Sequence, residues 1–180
     1  MFKQINLSVA LFAVSLSSAL AWPYYGAISY VDSELDDLDS NGYAVTIGRN
    51  VDYGYLTAVQ LTYADHGDED FLNDDGKPRN AEVTTTEIAA IFSVSYGQLT
   101  PFLAVGYENT DLDISGSEIN GSDPFSVTID DDGFFYGVGV DYAISDKVGI
   151  RLELTYDEFT DDEGEDLDIE TTRLGIVRQF

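Results

Sequence analysis

The alternation of side-chain types along residues 133–156 constrains the fold of this chain more than any other feature of the sequence. Within two runs, 134–143 and 148–156, even-numbered residues are large and apolar, whereas odd-numbered residues are mostly glycine, alanine or charged. Successive side chains of a β-strand point to opposite faces, so each run has one apolar face. A polar turn at 144–147 separates the runs. The stretch therefore predicts a β-hairpin with one apolar face and one small or charged face.

The same alternation recurs along the chain and predicts eight strands. They lie at about 24–31, 43–49, 55–64, 84–96, 100–108, 134–143, 148–156 and 169–180. The connections after even-numbered strands are short (50–54, 97–99 and 144–147), whereas those after odd-numbered strands are long (32–42, 65–83, 109–133 and 157–168). The fold class predicted is all-β, an eight-stranded antiparallel up-and-down barrel with four long loops at one end.

The first 21 residues differ from the rest and predict a cleaved secretory signal peptide. Lys3 is their one charge, an apolar run follows, and Ala19 and Ala21 form an A-x-A cleavage site. A membrane-anchoring helix is the alternative. The domains predicted are a signal peptide at 1–21 and one barrel domain at 22–180. The chain has no cysteine, so the sheet is held without disulfides.

Charge is distributed unevenly. The formal net charge is −26, and most acidic residues fall in the four long connections. Nucleic acid is excluded as a partner, because its binding requires a basic surface. One end of the barrel is predicted to be strongly negative.

The apolar faces must be removed from water, and the alternation alone leaves two ways to do this. A soluble secreted barrel would turn them inward, whereas a membrane barrel turns them to lipid. Small residues on the polar faces suit a crowded eight-stranded lumen. Aromatic residues bound the apolar faces at the short-turn end (Tyr55, Tyr96, Tyr142 and Phe180) and at the long-loop end (Tyr43, Tyr63, Tyr107, Phe134 and Tyr156). Two aromatic girdles favour a transmembrane barrel.

The last eight residues, RLGIVRQF, resemble the C-terminal signal of bacterial outer-membrane barrels. Gly175 lies five residues before the aromatic Phe180, and the polar Arg173 lies two before the glycine. Segments 101–107 and 135–142 also resemble strands of small porin-family barrels. The family is that of the small eight-stranded outer-membrane barrels: OmpX/Ail-like, Opa-like and OmpA membrane-domain-like proteins. Arg178 departs from the pattern, since the family usually has an apolar or aromatic residue there.

The resemblance implies a location in the outer membrane of a Gram-negative bacterium. It implies contact with outer-membrane lipid and lipopolysaccharide, and recognition of the C-terminal strand by the barrel-assembly machinery through Arg173, Gly175 and Phe180. A monomer is expected. The extracellular ligand is left open.

Charged residues on the inward parity form the first candidate site. They are Glu87, Asp141, Arg151, Glu153 and Arg173. Buried charges must be paired, so these residues predict an ion-pair network that plugs the lumen. The alternative is a narrow path for protons or small ions. An open solute pore does not fit in eight strands.

A divalent cation is the second candidate ligand. Residues 37–42, DLDSNG, match the first half of a calcium loop, and 111–116 nearly match it. The candidate ligands are Asp37, Asp39, Asn41, Asp111 and Asp113. Neither segment has the glutamate at the twelfth position, so an EF-hand is excluded. Loose binding of Ca²⁺ or Mg²⁺ by the whole acidic end is expected instead, and no other cofactor.

Catalysis is not expected. The one histidine, His66, is placed in the second long loop, and no G-x-S-x-G motif is present. The function predicted is a structural or interaction role, in which the barrel anchors four acidic surface loops for envelope integrity, adhesion or cation-mediated contacts. The alternatives are a narrow porin-like barrel and a lipid-modifying enzyme that uses His66.

Overall fold

The computed structural model describes residues 23–35, 38–72, 78–117, 124–160 and 166–180. The predicted signal peptide at 1–21 lies outside the described residues. Eight strands are present: β1 (Tyr24–Leu35), β2 (Leu38–Tyr53), β3 (Leu56–Leu72), β4 (Pro78–Ser93), β5 (Leu99–Ser117), β6 (Pro124–Ala143), β7 (Val148–Thr160) and β8 (Asp166–Gln179). The described part of the chain contains no helix long and apolar enough to cross a membrane.

The eight strands form one closed barrel in which every strand pairs antiparallel with its neighbour in sequence. Closure is made by β1 and β8, which pair from Tyr25–Gln179 to Leu35–Ile169. A closed sheet has no edge, so every strand finds backbone partners on both sides. The predicted all-β, eight-stranded antiparallel barrel is confirmed.

The two faces of the sheet have the predicted environments. Side chains on the inner parity are buried, among them Tyr25, Phe102 and Phe135. Residues on the outer parity stay exposed although they are apolar, as shown by Ile88 at 55% and Val138 at 48%. A soluble barrel would bury this second set, so the apolar face is the lipid face.

Small residues make room for the large rings inside. Gly139 faces the lumen, and a Cβ atom there would collide with the Phe102 ring. Gly48 has the same relation to the Tyr25 ring. Aromatic rings and glycines on neighbouring strands thus fill an eight-stranded lumen together.

The four long loops were predicted wrongly. β5 and β6 pair out to Ser117 and Pro124, far past the outer aromatic pair Tyr107 and Phe134. Most acidic residues expected in loops therefore lie on paired strands that continue beyond the membrane. The reason is that apolar residues with a preference for strands face each other in this part of the hairpin. Leu112 is the register partner of Ile129, and Ile114 is the register partner of Val127.

An arginine placed on the lipid face tests this orientation. We expect Val138→Arg, in the middle of the apolar band, to lower the free energy of unfolding in lipid vesicles by about 2–4 kcal/mol. Ile144→Arg, in a short turn, should cost about 0–1 kcal/mol. Urea unfolding followed by the heat-modifiable shift on gels measures both. Equal effects of the two variants would contradict a lipid-facing Val138.

Candidate functional site

One ion pair joins two neighbouring strands in the half of the lumen nearest the short turns. Arg151 on β7 is the register partner of Asp141 on β6. Its Nε donates to Asp141 Oδ1 at 2.7 Å and its Nη2 donates to Oδ2 at 2.9 Å. Its Nη1 donates to Gln60 Oε1 across the lumen at 2.9 Å. The Tyr25 hydroxyl donates to the same oxygen at 2.9 Å, so four strands meet at this layer.

Aromatic rings enclose the Arg151 guanidinium. Its Cζ lies 4.7 Å from the centroid of Phe102 and 5.4 Å from that of Tyr25. These cation–π contacts hold the positive charge in the middle of the lumen. Arg151, Tyr25 and Phe102 also form the floor of a cavity of about 340 Å³ that opens at the short-turn end. The cavity ends at this layer.

A second ion pair crosses the middle of the lumen. Arg173 on β8 and Glu87 on β4 form a bidentate pair, with Arg173 Nη1 donating to Glu87 Oε2 at 2.8 Å. Both side chains are fully enclosed, at 3% and 1% exposure. β4 and β8 are not neighbours in the sheet, so this pair ties opposite walls of the barrel together.

Glu153 is the fifth predicted lumen residue. It lies on β7 as the register partner of Arg173, and it is buried. Within the described residues, its Oε1 and the Nε of Arg173 have no hydrogen-bond partner. The structure thus brings all five predicted residues into one lumen, where four form two ion pairs and Glu153 lies beside the second.

His66 is placed differently from its prediction. It lies on β3 rather than in a loop, and it points into the lumen with 2% exposure. Its Nδ1 lies 2.6 Å from Ser33 Oγ and its Nε2 lies 3.0 Å from Thr85 Oγ1. Ser33 contacts Thr171 in turn, at 3.1 Å. The alternation of β3, which continues past the residues predicted as strand, was the signal that could have placed it.

Two further carboxyl groups lie beside the second ion pair. Glu108 on β5 is the register partner of Glu87, and it shares a hydrogen bond with Asp157 on β7. Neither was included in the predicted network, although Glu108 follows the inward parity of its strand. Gln60 and Tyr25 were missed for another reason: polar side chains without charge give no signal beyond parity.

These layers decide what the lumen can do. Two arginines, their two partner carboxylates, the adjacent Glu153, the Tyr25 hydroxyl and the Gln60 amide occupy its width in successive layers. Clearing the lumen would require that these buried ion pairs be separated, which leaves charges unpaired. The Arg151–Asp141 ion pair joins neighbouring strands, whereas the Arg173–Glu87 ion pair joins strands that are distant in sequence.

The second candidate surface is on the outside, beyond the outer aromatic girdle. We define the acidic wall as six outward carboxylates in two neighbouring rows on strands β3 to β6: Asp65, Asp68, Glu82, Asp111, Asp113 and Asp130. Asp68, Glu82 and Asp113 are successive register partners on three strands. Neighbouring strands are about 4.8 Å apart, so the carboxylates form a row.

A β-bulge in β3 places Asp68 on the outer face, in line with Glu82 and Asp113. The register shifts by one residue between Asp65 and Asp68, and Gly67 adopts a positive φ of 89°. The extra residue leaves His66 facing inward while Asp65 and Asp68 both lie on the outer parity. Such a φ is readily accessible to glycine alone, which explains the residue at this position.

A second row crosses the wall one step nearer the membrane. Asp111 is the register partner of Asp130. The hydrogen bond that the two carboxyl groups share raises the pKa of Asp111, and the negative charge of Asp130 adds to the effect. Like charges directly opposite each other are unfavourable, so the pair gains from a proton or a cation.

The predicted cation ligands that the structure describes do not come together. Asp37 lies outside the described residues. For Asp39 the structure describes the backbone, which belongs to β2, and not the side chain. Asn41 lies on β2, whereas Asp111 and Asp113 lie on β5. No three described histidine or acidic side chains converge as a metal site. The carboxylates of Asp111 and Asp113 follow each other along the outer face of one strand, two residues apart, so they are not gathered around an ion.

The residues of the predicted assembly signal lie along β8. Arg173 faces the lumen, and Gly175 lies against β1, where a Cβ atom would collide with Ser29. Phe180 lies on the outer parity next to Gly26, and its backbone N–H donates to the carbonyl oxygen of Tyr24 at 3.0 Å. The three residues thus lie on β8 or directly after it, and they face the lumen, strand β1 and the outer surface, respectively.

A closed β-barrel with an apolar outer band, aromatic girdles and a polar plugged lumen defines a transmembrane barrel of the bacterial outer membrane. The family model for the outer membrane protein beta-barrel domain matches residues 6–180. The chain belongs to this family, and its location is the bacterial outer membrane. No curated protein matches the chain.

Solved structures share the fold at low sequence identity. Ail of Yersinia pestis, solved with the heparin analogue sucrose octasulfate, is 15% identical with a TM-score of 0.61, covering 87% of this chain and 97% of that one. OprG of Pseudomonas aeruginosa is 12% identical with a TM-score of 0.63, covering 87% and 95%. Neisserial surface protein A is 13% identical with a TM-score of 0.58, covering 87% and 96%. These likenesses show the small outer-membrane barrel fold.

Removing one partner of the central ion pair tests its role as a brace. We expect Arg173→Met to lower the free energy of unfolding in zwitterionic vesicles by about 3–5 kcal/mol, because Glu87 stays buried without its counter-charge. The double variant Arg173→Met/Glu87→Gln should recover much of this loss. Arg178→Met, on the lipid-facing side of the same strand, is the control and should change stability by about 0.5 kcal/mol or less. A double variant no more stable than Arg173→Met would contradict the pairing.

Proposed function

We propose that this outer-membrane barrel has a structural and interaction role, in which the acidic wall retains divalent cations that bridge it to phosphate groups of lipopolysaccharide. The supporting observation is the placement of the wall. Its carboxylates face outward, as the lipid-facing side chains do, and Asp111 follows the girdle residue Tyr107 by four residues, about 13 Å of strand. Phosphorylated headgroups surround a barrel at this level.

The chemistry of the wall favours hard cations. Carboxylate oxygens are the ligands that Ca²⁺ and Mg²⁺ prefer. Rows of like charge lose repulsion when a cation lies between them and a phosphate. The formal net charge of −26 makes direct attraction to anionic lipopolysaccharide unfavourable, so the cation is a required third component. Retention is by the field of the wall rather than by one coordination cage.

The same charge separates this proposal from adhesion to a polyanion. The Ail structure was solved with a sulfated sugar. A sulfated ligand would be repelled by this wall unless cations screened it. Envelope integrity through bridged lipopolysaccharide therefore fits the charge better than capture of sulfated sugars does. The narrow-pore alternative requires opening of the two ion-pair layers, and the enzyme alternative requires access to the enclosed His66.

A charge-matched pair of variants tests the wall. We expect Asp68→Asn/Glu82→Gln/Asp113→Asn to weaken calcium-dependent binding of lipopolysaccharide by about tenfold, since each exposed charge contributes about 0.5 kcal/mol. The control Asp161→Asn/Asp162→Asn/Glu163→Gln removes the same charge elsewhere in the sequence. Titration of lipopolysaccharide onto the barrel in nanodiscs, with and without calcium, measures both. Equal losses would show that total charge matters and the wall does not.

The shared hydrogen bond between Asp111 and Asp130 predicts a pH dependence. A raised pKa keeps Asp111 protonated at a higher pH than an ordinary aspartate, and a proton competes with a cation. Calcium affinity should therefore fall on acidification already above the usual aspartate range. Asp130→Asn removes the neighbouring charge and should move this midpoint to lower pH. Calorimetric titration at several pH values measures it, and an unmoved midpoint would contradict the pairing.

A further inference from the structure

Two arginines lie on the lipid-facing side of the barrel at its short-turn end. Arg49 on β2 and Arg178 on β8 follow the outward parity of their strands, and both are exposed. Strand β1 runs between them: Tyr24 is the register partner of Arg49, and Gly26 is the register partner of Arg178. The two arginines therefore flank one strand on one face.

The spacing of the pair suits a headgroup. β2 and β8 are two strand spacings apart, about 10 Å, and their β1 partners differ by two residues, about 7 Å along the strand. Arginine side chains are long enough to close this gap from both sides. Their planar guanidinium groups bind phosphate oxygens in a bidentate manner.

Aromatic rings form the floor between the two arginines. The Arg49 guanidinium lies 5.9 Å from the centroid of Tyr24, and that of Arg178 lies 5.9 Å from the centroid of Phe180. The Phe180 ring lies over Gly26, where a Cβ atom would already be 3.5 Å from it. The rings restrict both guanidinium groups to the membrane-facing surface.

The depth of the pair determines its surroundings. Tyr142 and Phe180 belong to the aromatic girdle of the short-turn end, which is the periplasmic end in outer-membrane barrels. Charged heads of arginines at such a girdle reach the phosphate layer while their stems stay in the apolar band. The phosphate layer here is that of the periplasmic leaflet, on the side opposite the acidic wall.

We propose that Arg49 and Arg178, with Tyr24 and Phe180 as a floor, form a binding site for the phosphate of an anionic glycerophospholipid of the periplasmic leaflet. Charge complementarity carries the assignment. Among the described residues, these are the two arginines on the lipid-facing parity. The site also accounts for Arg178 in a C-terminal strand where the family usually has an apolar or aromatic residue.

The site opposes the acidic wall across the membrane. The arginine pair holds an anionic headgroup directly, whereas the acidic wall needs a cation to do so. The two ends thus select different lipid chemistries in the two leaflets. This inference does not depend on the cation-bridging function proposed above.

Lipid retention by the detergent-purified barrel tests the site. Native mass spectrometry compares bound phosphatidylglycerol with phosphatidylcholine for the wild type and for Arg49→Gln/Arg178→Gln. We expect wild-type preference for phosphatidylglycerol to fall by about fivefold for each arginine removed. Lys147→Gln removes a positive charge from a short turn at the same end and should keep the preference within about twofold.

Two further arms decide between the lipid and simpler ligands. Arg49→Lys/Arg178→Lys keeps the charge but loses bidentate geometry, so it should fall between the wild type and the glutamine variant. Inorganic phosphate should fail to displace phosphatidylglycerol, and displacement would overturn the lipid assignment. Heat-modifiable migration shows that each variant is folded. An unchanged preference in the folded glutamine variant, or an equal loss in Lys147→Gln, would overturn the site.

Discussion

The structure depends on one constraint: inside lipid, no water is present to satisfy backbone N–H and C=O groups. Pairing of β1 with β8 meets this constraint by closing the sheet, so that each strand bonds on both sides. The lipid also reverses the two faces of the closed sheet relative to those of a soluble barrel. The apolar face must meet lipid, and the polar face must fill a lumen with little room for water.

The narrow lumen explains the second level of organisation. A charge enclosed there must find a partner within reach, and Arg173 finds Glu87 on the opposite wall rather than its register neighbour Glu153. Pairs of this kind link strands that are far apart in sequence. Such a pair joins opposite walls of the barrel and at the same time occupies the cross-section of the lumen.

The two ends of the barrel have opposite chemistry on their outer surfaces. Strands β3 to β6 continue past the outer girdle as a paired sheet with rows of carboxylates, whereas Arg49 and Arg178 lie at the inner girdle beside aromatic rings. Strand pairing sets the spacing of these carboxylates. The orientation of the protein in its membrane is thereby matched by the charge at each surface.

The sequence by itself determined the fold class, the strand number and the lipid-facing side, because a period of two is a local property that each strand shows alone. It also determined which charges enter the lumen, since parity selects them. It did not determine that Arg173 pairs with Glu87, that His66 contacts Ser33 and Thr85, or that Asp68, Glu82 and Asp113 form a row. Those relations depend on the register between strands and on closure of the sheet. Only the tertiary structure decides both. Backbone hydrogen bonds between strands set the register, and the side-chain pattern of a single strand does not show which residues of its neighbour it will face.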